Sequence, residues 1–342
     1  MSKMRLANGR VIGDYQRPYI IAELNSSHDG DVGTAKQMID AAKNCGCDCV
    51  KLQSYSSSSL FSEEYYEKNR IIRRIIDKFS MGEEELRTLA EYCMEVGVDF
   101  SSTPYSETEA DFLDEIGVPF IKISSMEVNN LPYLRYIAQL GRPMIFSTGM
   151  ATYDEIREAI KTIEETGNKE VCLLHCVSVY PASSDIINLN NIHSLREMFP
   201  AYPIGYSDHT IGMEVPCASV ALGVAVIEKH FTLDNSKMGM ENDMATEPEM
   251  MKAMVNACDN VYRALGSHKR ILSEDEIEYA GKMRRSLVTT RDMQAGEVFK
   301  AEDITVRRPG TGLEPGWVDE VIGKTLVNDI KRGYLIHMED MK

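Results

Sequence analysis

The run Pro143-Met-Ile-Phe146, the polar Ser147-Thr148-Gly149 behind it, the amphipathic stretch 153–166 and the next apolar run Val171-Cys-Leu-Leu174 read as strand, loop, helix and strand. A short apolar run without alternation is the mark of a strand buried on both faces, as in a parallel sheet. Working outward, similar runs fall at 120–123, 98–101, 47–52 and 19–22 on one side, and at 203–206 and 224–227 on the other. Helical stretches at 34–44, 83–96, 107–116 and 131–140 separate the earlier runs. Eight such runs alternating with helices predict an α/β protein built as a (β/α)8 TIM barrel. The alternative is a doubly wound open sheet. No GxGxxG follows the first run, which removes the dinucleotide-binding form of that alternative.

Helical patterning resumes at 249–265, and the texture changes near Met283. A strand-like run at 286–290 is followed by turn signals at Gly296, Pro309-Gly310, Gly312, Pro315-Gly316, Gly323 and Gly333. We therefore expect a barrel domain over residues 1–283 and a small β-rich domain over residues 284–342. So small a domain buries little surface alone and is expected to dock on something.

The 342 residues include 37 Lys+Arg and 53 Asp+Glu, a formal charge of −16. That balance argues against a nucleic-acid or acidic-membrane binder, while leaving room for a locally positive pocket. No apolar run is long enough to span a membrane, and residues 1–10 lack the apolar stretch of a signal peptide. The eight Cys form no CxxC pair and are expected to be reduced thiols of a cytoplasmic protein.

In a barrel, polar residues at the strand ends line one mouth. Lys51, Thr103, Lys122, Ser125, Ser147 and Ser207 would converge there from different strands. Hydroxyls with lysines at close range suit a phosphate or carboxylate. The plainer alternative is that the Ser and Thr only cap helices and turns. His209 and His230 end neighbouring runs. Adjacent strands lie about 4.8 Å apart, so two imidazoles there could share one divalent ion. Two polar histidines without a metal are the alternative. Glu23 is an acid closing an apolar run. It reads as a base or orienting carboxylate, or as a salt-bridge partner of Lys51 or Lys229.

The motifs Tyr19-Ile-Ile-Ala-Glu23, Val50-Lys-Leu-Gln53, Phe100-Ser-Ser-Thr-Pro104, Ile121-Lys-Ile-Ser-Ser-Met-Glu127, Phe146-Ser-Thr-Gly-Met150, Leu174-His-Cys176 with Tyr180-Pro181, Gly205-Tyr-Ser-Asp-His-Thr210 and Glu228-Lys-His-Phe-Thr-Leu-Asp234 occur in this order. Together they resemble the sialic acid (nonulosonic acid) synthase family over nearly the whole chain. Arg284-Arg-Ser286, Ala295-Gly296 and Arg307-Arg-Pro-Gly310 resemble that family's C-terminal antifreeze-like (SAF) domain.

The resemblance implies a transferase that condenses phosphoenolpyruvate with an N-acylated mannosamine-type aldehyde, releasing phosphate. It implies a divalent ion on His209 and His230, manganese first, with magnesium or cobalt as alternatives. Those histidines with Glu23, Lys51 and Lys122 would carry the catalysis. Phosphoenolpyruvate contacts would fall on Lys51, Thr103, Lys122, Ser125, Ser147, Ser178 and Ser207. Sugar contacts would fall on Gln53, Glu127, Tyr180, one of Glu241 or Asp243, and Arg308 from the partner chain of a domain-swapped homodimer.

The chain departs from the family pattern at Ser27-His28, at Ser178 and in the loop after Asp234, where Glu241, Asn242 and Asp243 compete for one sugar contact. These departures leave the sugar open among N-acetylmannosamine, a 2,4-diacetamido-trideoxy hexose and another aldose, free or 6-phosphorylated. Competing readings are another metal-dependent aldolase or phosphosugar synthase on the same barrel, or a non-catalytic glycan-binding protein.

Overall fold

The computed structural model describes residues 1–342. The chain separates into two compact units, Met1–Gly266 and Ser267–Lys342.

Eight strands form the first unit's sheet: Tyr19–Glu23 (β1), Cys49–Ser54 (β2), Asp99–Pro104 (β3), Ile121–Ile123 (β4), Met144–Ser147 (β5), Val171–Cys176 (β6), Ile204–Asp208 (β7) and Val226–His230 (β8). They lie in the order β3-β2-β1-β8-β7-β6-β5-β4, with every ladder parallel. The barrel is nearly closed. The seam between β3 and the three-residue β4 lacks a ladder, and there the Ser101 hydroxyl donates to the Phe120 carbonyl at 2.7 Å.

Helices cover the outside because their ends are specified. Val32–Cys45 is capped by Asp31, whose carboxylate accepts from the Thr34 N–H, and it stops at Gly46 with φ 90°. Tyr153–Glu164 starts with a reciprocal capping box between Thr152 and Glu155.

Several strands run further toward their C-termini than their apolar cores. Glu23, Gln53, Thr103, Asp208 and His230 all lie inside ladders. A barrel strand sends alternate residues into the lumen, so a polar residue can continue the strand when its side chain meets other polar groups there.

Two elements outside the sequence reading shape the two ends of the lumen. Lys3–Arg5 and Val11–Gly13 pair as an antiparallel hairpin. Its Met4 and Ile12, with Leu6, pack against Tyr19, Phe120, Ile145 and Leu174 beneath the lumen. After β2, three short helices, Ser57–Leu60, Glu63–Lys68 and Arg70–Phe79, precede the covering helix Glu83–Val96.

The second unit has its own core of Leu287, Met293, Phe299, Val321, Leu326, Ile330 and Ile336. Ser286–Thr289 pairs antiparallel with Ile304–Arg307. Helix Glu274–Met283, capped by Ser273, belongs to this unit although it precedes the boundary expected after Met283. No helix of the chain is long and apolar enough to cross a membrane.

Gly205 in β7 shows how tightly the strands bearing the histidines pack. A Cβ there would lie 2.9 Å from the Val226 Cβ and against the Leu174 side chain. Gly205→Ala is expected to cost about 1–3 kcal/mol through overpacking. It should lower the Tm of a cooperative melt, and an unchanged Tm would contradict this account.

Candidate active site

The C-terminal ends of the strands open into a cavity of about 470 Å³. That lies within the usual range for small-molecule sites, roughly 300–1,000 Å³. Its floor carries Glu23, Lys51, Lys122 and Glu228, each no more than 6% exposed.

Glu228 stands between the two lysines, 3.5 Å from Lys122 Nζ and 3.9 Å from Lys51 Nζ. Its Oε1 also accepts from the Ser207 hydroxyl at 3.0 Å. Burial pushes this carboxyl up, but Lys122, Lys51 and Ser207 outweigh burial and hold it at about 2. Glu228 is therefore ionised throughout the neutral range.

Lys122 donates to the Ser147 hydroxyl at 2.8 Å, and Lys51 to the Thr103 hydroxyl at 3.1 Å. Glu23 contacts Lys51 directly, and its Oε1 accepts from the Asn25 N–H at 2.8 Å. Burial lowers Lys51 to about 7 and Lys122 adds to this, while Glu228 and Glu241 act in the opposite direction, as does the contact with Glu23. Glu23 Oε2 is the oxygen that lies against Lys51 Nζ, and Glu228 Oε2 is buried without a hydrogen-bond donor. An unpartnered buried carboxylate oxygen marks a place for a cation or a donor.

Above the floor stand His209 and His230, with ring centroids 5.4 Å apart. His209 Nδ1 lies 2.7 Å from the Val177 carbonyl. This contact requires a proton on Nδ1, so that in the neutral ring Nε2 carries the free lone pair of a metal-binding imidazole. Burial lowers this histidine, but Cys176, the Val177 carbonyl and Glu228 outweigh it and raise it. Burial, together with the neighbouring His209 and Lys51, holds His230 neutral, well below the ordinary histidine range.

No three His, Cys, Asp or Glu side chains form a complete cage for an ion. The histidine pair fits only an open site, in which water or substrate completes the coordination. Tyr180 leans on His209 at 4.2 Å between ring centroids.

The cavity also gathers Gln53, Ser125, Ser147, Ser178 and Ser207. Ser125 accepts from the Gly149 N–H at 3.0 Å. Among the three competing residues after Asp234, only Glu241 reaches the cavity wall. It sits in a left-handed backbone conformation at φ 62°. Its Oε2 accepts from Asn25 Nδ2 at 2.8 Å and lies 3.7 Å from His230 Nδ1. Asn242 is instead structural, donating to the Asp234 and Lys237 carbonyls.

Asp243 is exposed and off the wall. Glu127 is also off the wall, accepting from Asn130 at 2.7 Å, with its carboxyl raised by burial. Arg308 belongs to the second unit.

Glu228, Asn25, Tyr55 and Tyr105 line the cavity without having been singled out as site residues. Glu228 was accessible to pattern reading, because a residue two before His230 in a strand shares its face. The helices after β2 add an apolar wall of Leu60, Phe61, Ile72, Ile75 and Ile76.

Comparison with known proteins gives a consistent picture. Residues 38–270 match the NeuB family and residues 284–342 match the SAF domain. An uncharacterized protein of Methanocaldococcus jannaschii is 37% identical, over 100% of this chain and 99% of its own. The N,N'-diacetyllegionaminic acid synthase of Legionella pneumophila is 35% identical, over 100% of both chains. Among solved structures, the N-acetylneuraminic acid (sialic acid) synthetase of Leptospira borgpetersenii, in complex with citrate, superposes with a TM-score of 0.74 at 32% identity. That match covers 82% of this chain and 97% of the other.

With Lys51 at about 7, its positive charge is lost as pH rises through that value. Binding of a small non-titrating dianion such as sulfate should weaken over the same range. The rise in Tm that sulfate causes should shrink with increasing pH, and Lys51→Gln should remove the slope. A pH-independent effect in the parent protein would contradict the assignment of Lys51 as the titrating cation.

Proposed function

The chain belongs to the NeuB family, is an enzyme, and carries a SAF domain, and we propose that it condenses phosphoenolpyruvate with the open-chain aldehyde of an N-acylated amino hexose. The observation that carries this reading is the convergence, in one cavity, of two buried lysines, a ring of hydroxyls and a pair of histidines.

Lys51 and Lys122 would neutralise the phosphate and carboxylate of phosphoenolpyruvate. Thr103, Ser125, Ser147, Ser178 and Ser207 would orient it by hydrogen bonds. Lys51 and Lys122 stand against Glu23, Glu228 and Glu241, so the bare cavity is net negative when all five are ionised. An added anion calls for an added cation, and His209 and His230 would hold a divalent one, manganese before magnesium or cobalt. Such an ion supplies Lewis acidity at the acceptor's carbonyl oxygen.

C3 of phosphoenolpyruvate forms the new carbon–carbon bond with the aldehyde carbon, leaving positive charge at C2. The carboxylates of Glu23, Glu228 and Glu241, which outnumber the two lysines, favour that charge. Water adds at C2 and gives up a proton to the Glu23 carboxylate. The same proton passes to the oxygen of the former aldehyde. The tetrahedral centre at C2 then expels phosphate, the hydroxyl proton leaves with it, and a 2-keto-3-deoxy acid remains. Glu228, kept ionised by its two lysines, is a fixed charge rather than a proton carrier.

Gln53, Tyr180 and Glu241 would face the sugar. Leu60, Phe61, Ile72 and Ile75 offer an apolar wall suited to acyl methyl groups. We further propose, on the strength of the family resemblance, a homodimer in which the partner's SAF domain brings Arg308 to the sugar.

The test is phosphate release from phosphoenolpyruvate with Mn²⁺, over a panel of N-acetylmannosamine, 2,4-diacetamido-trideoxy hexoses and their available 6-phosphates. Release should depend on one acceptor class, stop with EDTA and return with metal. His209→Ala and His230→Ala should each lower turnover by about a thousandfold or more, the loss expected when a Lewis acid worth several kcal/mol is removed. Wild-type turnover in the double variant would defeat the metal assignment. Absence of phosphoenolpyruvate binding would favour an aldolase or a glycan-binding protein.

A further inference from the structure

The strand alternation that aims His209 and His230 into the cavity aims Asp208 and Lys229 away from it. These two residues are direct partners in the β7–β8 ladder. Asp208 is 0% exposed and Lys229 is 1% exposed, and neither lines the cavity.

Lys229 Nζ donates to Asp208 Oδ2 at 2.5 Å and to the Thr210 carbonyl at 2.8 Å. Asp208 Oδ1 accepts from the Tyr206 hydroxyl at 2.7 Å and from the Thr210 N–H at 3.1 Å. One ion pair thus ties Tyr206, Asp208 and Thr210 on one strand end to Lys229 on the next.

His209 lies one residue past the end of β7, where the ladder no longer holds the backbone. The ion pair grips the residues on both sides of it. On the other strand it grips the residue immediately before His230.

A buried ion pair is a poor device for stability, because desolvation consumes most of the attraction and a packed apolar pair often does as well. This pair has a more specific geometric effect. It sets the distance and orientation between two short segments, each carrying one imidazole.

We propose that Asp208 and Lys229 are positioning residues that hold the His209 and His230 rings at the separation two ligands of one divalent ion require. The proposal rests on the metal reading given above and adds residues that touch neither the ion nor the substrate.

The experiment titrates Mn²⁺ alone into the metal-stripped full-length protein, without substrate, and follows free Mn²⁺ by electron paramagnetic resonance. The double variant Asp208→Leu, Lys229→Met replaces the pair by apolar side chains. It should melt cooperatively with a Tm close to the parent's and keep the sulfate response of the floor. Its Mn²⁺ affinity should be about 10–100-fold weaker, the usual loss when groups behind a metal ligand are removed. A folded double variant with the parent's affinity would overturn the proposal.

If the double variant does not fold, Tyr206→Phe decides the question. It removes one hydrogen bond to Asp208 and nothing from the cavity wall, and it should weaken Mn²⁺ binding by at least about threefold. Unchanged affinity there would likewise overturn the proposal. A parent protein that binds no Mn²⁺, or a His209→Ala variant that binds it as well as the parent, would remove the metal reading itself. Parental binding that is lost in His209→Ala but unchanged in the strand-pair variants would defeat only the role given to Asp208 and Lys229.

Discussion

Glu228 bridging Lys51 and Lys122 is the interaction on which the rest of the site depends. Charges this deeply buried are tolerated only in company, because an isolated one would give up its ionisation. The pairing holds each lysine charged-side inward beneath the mouth, where Thr103 and Ser147 accept from them. It also explains the strand lengths. β7 and β8 continue past their apolar cores because Ser207 and Glu228 pair across the ladder, and Lys51 reaches Glu228 from β2, beyond the intervening β1.

The same alternation divides the labour between the two faces of β7 and β8. Inward residues carry chemistry and outward residues carry geometry. Ser207, His209, Glu228 and His230 face the cavity, whereas Asp208 and Lys229 form a sealed pair behind them. A sequence motif such as Ser-Asp-His is then two interleaved messages, read by separate surroundings.

Much of this was legible in the sequence, for physical reasons. Apolar runs such as Val171-Cys-Leu-Leu174 are buried on both faces and announce a parallel sheet without help from context. The convergence of Lys51, Thr103, Lys122, Ser147, Ser207 and the two histidines followed from barrel geometry alone.

Other features depended on tertiary partners. The hairpin strands Lys3–Arg5 and Val11–Gly13 are too short for any period to show. Their apolar residues matter only because a barrel lies above them. The helices over Ser57–Phe79 interrupt the strand–helix rhythm, so their contribution of an apolar cavity wall could not be inferred from spacing. That Glu241, and not Asn242 or Asp243, lines the cavity goes with its left-handed backbone and its contact with Asn25.

The N-terminal hairpin has a consequence beyond packing. With Met4, Leu6 and Ile12 filling the space under the lumen, the barrel is a vessel with a single opening. The lysines at the floor are then reached from the end of the barrel that carries the polar residues. A plug of a few apolar side chains thereby makes the polar mouth the way in and the way out.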